Sequence, residues 1–97
     1  MMPVEGADIL VVGMAKSGLA AIELLRAHGA RPRATDMKRL EDMPEVAAKL
    51  REWNVPFTVQ SDGVFANCAG IVISPGVPAD LAPLEAARAR GVSVIGE

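Results

Sequence analysis

The fold is decided by a stretch near the start of the chain, residues 9–36, which opens with ILVVGMAKSGLA and closes with ATD. The apolar run ILVV predicts a buried strand, the glycine turn after it predicts a tight bend, and the residues beyond the turn predict a helix. A second strand then ends in an acidic residue, Asp36. This order is typical of a nucleotide-binding unit, because the turn and the helix N-terminus present N–H groups and a partial positive charge to an anion.

The turn departs from the dinucleotide-binding pattern at one residue. That pattern is G-x-G-x-x-G, whereas this chain has Gly13, Ala15 and Gly18 at the three positions. The second glycine normally lets a pyrophosphate approach the backbone, so the Cβ of Ala15 disfavours NAD or FAD. The helix N-terminus, the Ser17 hydroxyl and the Lys16 cation still favour a phosphate. The alternative that the turn only packs a helix against a sheet stays open.

Composition restricts the chain to a few classes of protein. Its 97 residues are 51% hydrophobic with few aromatics, which predicts a single domain spanning residues 1–97 with a parallel sheet under helices. The net charge of −2 gives no sign of nucleic-acid binding. No apolar run approaches the roughly 18 residues that a membrane span needs. The single cysteine, Cys68, rules out an internal disulfide, favours a cytoplasmic location and is interpreted as a small buried residue.

The remaining sequence alternates between strand and helix patterns. We expect strands at 8–12, 31–35, 56–59, 70–73 and 92–95, and helices at 17–28, at 44–53 and from Asp80, as N-cap, to Arg90. His28 and the glycines Gly29 and Gly91 mark helix ends, Pro83 is tolerated in a first turn, and Trp53 is assigned to the core. The fold class is therefore α/β, a Rossmann-like open parallel five-stranded sheet of order 3-2-1-4-5 with helices on both faces.

Three loops are expected to meet at the carboxyl edge of this sheet: residues 13–18, 36–38 and 74–76. Asp36 can accept hydrogen bonds from a base N–H or a ribose hydroxyl, and Lys38 can lie against a base or reach a phosphate. The Ser74-Pro75-Gly76 turn offers a hydroxyl, a rigid bend and an open backbone. Two alternatives remain: residues 74–76 as an ordinary strand-ending turn, and Lys38-Arg39 as a solvated loop.

Taken together, these residues resemble the N-terminal domain of the Mur ligases, most of all the branch that adds D-glutamate. The family pattern G-x-G-x-[ST]-G-x-[AS] corresponds to residues 13–20, and a strand ending in Asp and a polar loop corresponds to residues 36–38. An S-P-G turn corresponds to residues 74–76, and a last strand ending in Gly and an acid corresponds to Gly96-Glu97. The resemblance covers the whole chain. It departs at Ala15, where the family has glycine, and at Met37, where a hydroxyl residue is common.

The resemblance implies a site for the UDP moiety of UDP-N-acetylmuramoyl-L-alanine. The backbone around Lys16, Ser17 and Gly18, beside Ala15, would receive the diphosphate. Asp36 would hold the uracil, with Met37 and Lys38 beside it, and Ser74, Pro75 and Gly76 would line the site.

The resemblance also implies an activity for the parent protein, an ATP- and Mg²⁺-dependent ligase of peptidoglycan synthesis in the bacterial cytoplasm. The chain has no Gly-Lys pair for a phosphate clamp. We therefore expect a substrate domain without the ATPase and C-terminal domains, monomeric, inactive alone and without catalytic or metal-binding residues. One alternative is a module that senses NAD or a mononucleotide. Another is a receiver-like or scaffold domain, although Gly13-Met14 stands where a receiver has acidic residues.

Overall fold

The computed structural model describes residues 5–96, so Glu97 of the closing Gly96-Glu97 motif lies outside the described residues. One sheet contains strands β1 (Asp8–Val12), β2 (Arg31–Asp36), β3 (Phe57–Val59), β4 (Gly70–Ile73) and β5 (Ser93–Gly96). The helices are α1 (Lys16–Ala27), α2 (Pro44–Glu52) and α3 (Ala82–Ala89), and 3₁₀ turns occupy Leu40–Asp42 and Asp62–Phe65. The order is β3-β2-β1-β4-β5 and every pairing is parallel, which confirms the predicted fold class.

Strand β1 lies at the centre of the sheet and is covered on both faces. Its four residues 9–12 are 0% exposed, which explains why the strand is a continuous apolar run rather than an alternating one. Helix α1 ends as the sequence predicts: His28 is the C-cap, and Gly29 follows with φ of +82°. A residue with a side chain is strained at that angle, so glycine allows the chain to reverse into β2.

The start of α3 is a correction to the sequence analysis. Asp80 was expected to cap this helix, but the N-cap is Leu81, and no side chain caps the helix. An N-cap at Asp80 would place Pro83 at the third helical position, where proline has no N–H for the cap to bind. The Leu81 carbonyl accepts the amides of Leu84 and Glu85 instead, at 2.9 and 3.0 Å. The expected tolerance of Pro83 in the first turn is confirmed.

Two apolar clusters hold the layers together, one on each face of the sheet. The cluster under α1 and α2 contains Val11, Ile22, Val46 and Leu50, with Trp53 packed against it. Trp53 is only half-buried, and the charged groups of Arg26 and Lys49 lie 5.5 and 5.7 Å from its ring centroid. The indole is therefore at the rim of the core rather than inside it. The cluster under α3 and the second 3₁₀ turn consists of Leu10, Val12, Val64, Phe65, Ile71, Ile73, Leu84 and Ala87.

The two faces of the sheet differ in the rows of paired residues that cross it. On the α1/α2 face one row of paired residues crosses all five strands and is apolar throughout: Phe57, Ala34, Val11, Val72 and Ile95. Its last member, Ile95, is 51% exposed. On the opposite face the corresponding row becomes polar at Thr35 and Thr58, and the Thr35 hydroxyl donates to the Thr58 carbonyl at 2.7 Å. Within residues 5–96, no helix is long and apolar enough to cross a membrane.

Candidate functional site

The glycine turn between β1 and α1 lies at the centre of the carboxyl edge, which is the end of the sheet where the parallel strands finish. Gly13 has φ of +95°, an angle that favours glycine, and its N–H donates to the Thr35 carbonyl at 2.9 Å. The turn therefore leaves β1 while still attached to the end of β2. Helix α1 begins directly afterwards with Ala15 as N-cap, and neither a capping side chain nor an acidic first-turn residue occurs there. This helix N-terminus offers its partial positive charge to a ligand.

Gly18 is required for close packing at the start of α1. A Cβ added at this residue would fall inside van der Waals contact of the Gly13 carbonyl oxygen and 3.2 Å from the Ser74 hydroxyl. The Gly18 N–H already donates to the Ala15 carbonyl at 2.9 Å. Gly18 is one of the residues expected to receive a diphosphate, but its N–H is already bonded. Its role in the structure is to let α1 pack closely against the glycine turn. The exposed residues Lys16 and Ser17 present the open backbone of the first turn.

Asp36 joins two of the three loops. One of its carboxylate oxygens accepts the Met14 N–H at 2.7 Å, and the other accepts the Lys38 N–H at 2.9 Å. These bonds fix the glycine turn relative to the loop after β2. Each carboxylate oxygen has two lone pairs, so both keep capacity for a further donor such as a uracil N–H. Asp36 therefore combines a structural role with an available acceptor.

Ser74 joins the third loop to the glycine turn. Its side chain is buried, with the residue 6% exposed, and its hydroxyl donates to the Gly13 carbonyl at 2.9 Å. Pro75 and Gly76 then form a turn that is closed by the Val77 N–H on the Ser74 carbonyl at 3.1 Å. Gly76 has φ of +94°, as the third position of a type II turn demands. Pro75 and Gly76 are exposed, whereas the Ser74 hydroxyl is already committed to holding the loops together.

The structure thus brings the three predicted loops together through bonds that sequence analysis did not identify. The Asp36–Lys38 bond was readable, because an aspartate often accepts the N–H two residues later. The Asp36–Met14 and Ser74–Gly13 bonds join residues far apart in the chain and left no local signal. Met37 is 78% exposed and Lys38 is exposed, so both lie open at the rim of this site.

Cys68 lies away from these loops. Its Sγ donates to the Phe65 carbonyl at 3.4 Å, and the residue is half-buried. Burial raises the pKa of the thiol, which keeps it in the unreactive protonated form at neutral pH. This agrees with a packing role. Within residues 5–96, no three His, Cys, Asp or Glu side chains form a group that could hold a metal ion.

Comparison with known proteins identifies the family of this chain. The family model for the Mur ligase MurD-like N-terminal domain matches residues 7–96. The UDP-N-acetylmuramoylalanine–D-glutamate ligase of Solibacter usitatus is 50% identical over 96 residues, which cover 99% of this chain and 21% of that protein. The ligases of the same name from Koribacter versatilis and Myxococcus xanthus are 39% and 38% identical over 98 residues, which cover 99% of this chain and 22% of each relative.

A solved structure shares the fold at lower identity. The UDP-glucose dehydrogenase of the archaeon Pyrobaculum islandicum matches with a TM-score of 0.62 and 21% identity, over 73% of this chain and 18% of that chain. At this identity the likeness concerns the Rossmann-like architecture alone. The present chain spans about a fifth of the length of the ligases it matches. The chain belongs to the MurD-like N-terminal domain family of the Mur ligases.

Proposed function

We propose that this domain binds the UDP moiety of UDP-N-acetylmuramoyl-L-alanine in a ligase that adds D-glutamate to that substrate. The observation that carries the proposal is the uncapped N-terminus of α1, which lies beside the Asp36 carboxylate where three loops meet. A diphosphate matches the helix N-terminus, because an anion there is stabilised by free N–H groups and by the helix dipole. A uracil matches Asp36, because the carboxylate accepts a ring N–H.

The domain supplies binding and orientation rather than bond formation. The parent reaction turns a substrate carboxylate into an acyl phosphate with ATP, and the amino acid then displaces the phosphate. Residues 5–96 hold no cluster suited to Mg²⁺, and the sequence has no Gly-Lys pair for a phosphate clamp. We therefore assign ATP and Mg²⁺ to the part of the ligase that follows this domain. The isolated chain is expected to release no phosphate from ATP in the presence of the muramoyl substrate and D-glutamate.

The affinity of the domain alone should be low. One helix N-terminus, one carboxylate and a few backbone groups, less the cost of association, leave roughly 4–5.5 kcal/mol of binding free energy. This corresponds to a dissociation constant on the order of 0.1–1 mM. The Cβ of Ala15 at the second glycine position should weaken NAD further, because it limits the approach of a pyrophosphate.

A titration of the ¹⁵N-labelled chain with UDP, ADP and NAD tests the proposal. UDP and ADP share the diphosphate, so the difference between them isolates the base. We expect UDP to shift the amides of residues 13–18, 36–38 and 74–76 at the lowest concentration. If NAD shifts these amides at lower concentration than UDP, the domain is a dinucleotide-binding module instead. If none of the three ligands shifts them, the domain does not bind nucleotides on its own.

A further inference from the structure

An apolar groove of about 350 Å³ runs along the open side of α1, towards the β5 edge of the sheet. Ala20 and Leu24 of α1 form one wall, and Val72 and Ile95 form the floor. Leu24 is 60% exposed and Ile95 is 51% exposed, and no charged residue lines the groove. Only its upper end, at Ser17, Ser74 and Pro75, reaches the UDP site proposed above. The remainder has no part in that function.

The pattern of apolar residues on the sheet and on α1 indicates that another polypeptide segment packs over this groove. The apolar row Phe57, Ala34, Val11, Val72 and Ile95 continues beyond α1 without becoming polar. On the other face, the corresponding row reaches β5 at Gly96, which presents no side chain at this edge. Helix α1 repeats this asymmetry, because Ile22 is fully buried on its core side whereas Leu24 is exposed beside the groove. Adjoining exposed apolar side chains on a helix and a strand are typical of a docking surface.

We propose that an amphipathic helix from the polypeptide following the N-terminal domain in Mur ligases docks in this groove, packed beside α1. The matched domain is N-terminal and spans only 21–22% of the related ligases, so most of each ligase follows it. Gly96, the last residue of β5, itself lines the groove. A segment that continues from β5 therefore starts at the groove. The lack of charge in the lining requires an apolar docking face.

The test uses two forms of one probe, the residues that follow the matched region in the Solibacter usitatus ligase, which is 50% identical to this chain. About 15 of those residues are long enough for a helix of four turns. They are added once as a synthetic peptide and once as an extension fused after Glu97. The chain is labelled with ¹⁵N and with ¹³C in its methyl groups, and the shifts of Ala20, Leu24, Val72 and Ile95 are followed.

In the fused form we expect the methyl groups of these four residues to shift most and the fluorescence of a bound apolar dye to fall. The paired substitutions Leu24→Gln and Ile95→Thr should weaken peptide binding about tenfold or more, because two apolar contacts are lost. The matched control is Val59→Thr, which changes an exposed apolar residue (43%) at the opposite edge of the sheet and should have no effect on peptide binding.

Three results would overturn the proposal. The first is unchanged groove methyl groups in both the peptide and the fused experiment. The second is a set of shifts centred on another surface. The third is a concentration-dependent shift of Leu24 and Ile95 in the unextended chain that the fused segment does not suppress, because a second copy of the chain would then be the occupant.

Discussion

The amino and carboxyl edges of the sheet differ in how their charged and polar groups are partnered. At the amino edge, Arg31 lies 3.4 Å from the Asp8 carboxylate and donates to the Gly6 carbonyl at 3.1 Å. Arg26 lies over the Trp53 ring. At the carboxyl edge, the N-terminus of α1 has neither a capping side chain nor an acidic first-turn residue. The amino edge is therefore satisfied by its own residues, whereas the carboxyl edge keeps binding capacity for a ligand.

Cavity size does not distinguish the two edges. The amino-edge cavity, lined in part by Arg31 and Trp53, measures about 400 Å³, and the apolar groove beside the carboxyl-edge site measures about 350 Å³. At the amino edge, Arg31 donates to the Gly6 carbonyl and Arg33 to the Ala66 carbonyl, so an anion there would have to compete with these partners. At the carboxyl edge, α1 begins without a capping side chain, and Lys16 and Ser17 of its first turn are exposed.

The largest expected effect is that of Gly18→Ala at the carboxyl edge. The added Cβ overlaps backbone, which cannot rotate away, so α1 must shift relative to β1. We expect a loss of about 2–4 kcal/mol in the free energy of unfolding, and weaker binding of UDP and ADP alike. Gly63→Ala is the control, because nothing lies within 4 Å of the Cβ it would add. Urea melts of the two variants measure the difference, and equal melts would contradict the packing assigned to Gly18.

Asp36→Ala should produce the next largest effect and should alter two properties. The Met14 and Lys38 amides lose their acceptor, which is expected to cost about 1–3 kcal/mol of stability. UDP should also lose its advantage over ADP, because the uracil or ribose loses an acceptor. Titration of the variant with both nucleotides, beside a urea melt, separates the two effects. A variant that is destabilised but keeps the preference for UDP would leave Asp36 with the structural role alone.

Ser74→Ala should have a smaller effect. The buried hydroxyl that donates to the Gly13 carbonyl disappears, and we expect a loss of about 1 kcal/mol in stability. Binding of UDP should weaken only slightly, because this hydroxyl is committed to the protein. Ser93→Ala changes an exposed serine at the start of β5 and serves as the control. A strong loss of UDP binding without loss of stability would mean that Ser74 contacts the ligand directly.

The smallest effect is expected at the amino edge, from Asp8→Asn. The Arg31 and Asp8 side chains are 72% and 49% exposed, so solvent screens their attraction. Stability should change by less than about 0.5 kcal/mol, and UDP binding should be unchanged. The same urea melts and titrations apply. A change in UDP affinity here as large as that of Asp36→Ala would remove the distinction between the two edges.

The sequence predicted the order of the strands and the meeting of the three loops, because both follow from local patterns and the geometry of parallel connections. It did not predict the start of α3, where the missing N–H of Pro83 decides against Asp80 as the cap. Nor did it predict the bonds from Asp36 to Met14 and from Ser74 to Gly13, which depend on tertiary packing. The sequence therefore predicts Asp36 and Ser74 as site residues but does not predict the structural bonds that both make.

The most direct test is a titration of the ¹⁵N-labelled chain with UDP, in which the positions of the shifted amides are measured. UDP is added up to a few times the expected dissociation constant of 0.1–1 mM. We expect shifts at the amides of Met14, Lys16, Ser17 and Lys38. We expect no change at the amide of Arg31 or at the indole N–H of Trp53, which report on the amino edge. Shifts centred on Arg31 and Trp53, with the glycine turn unchanged, would contradict the proposed site.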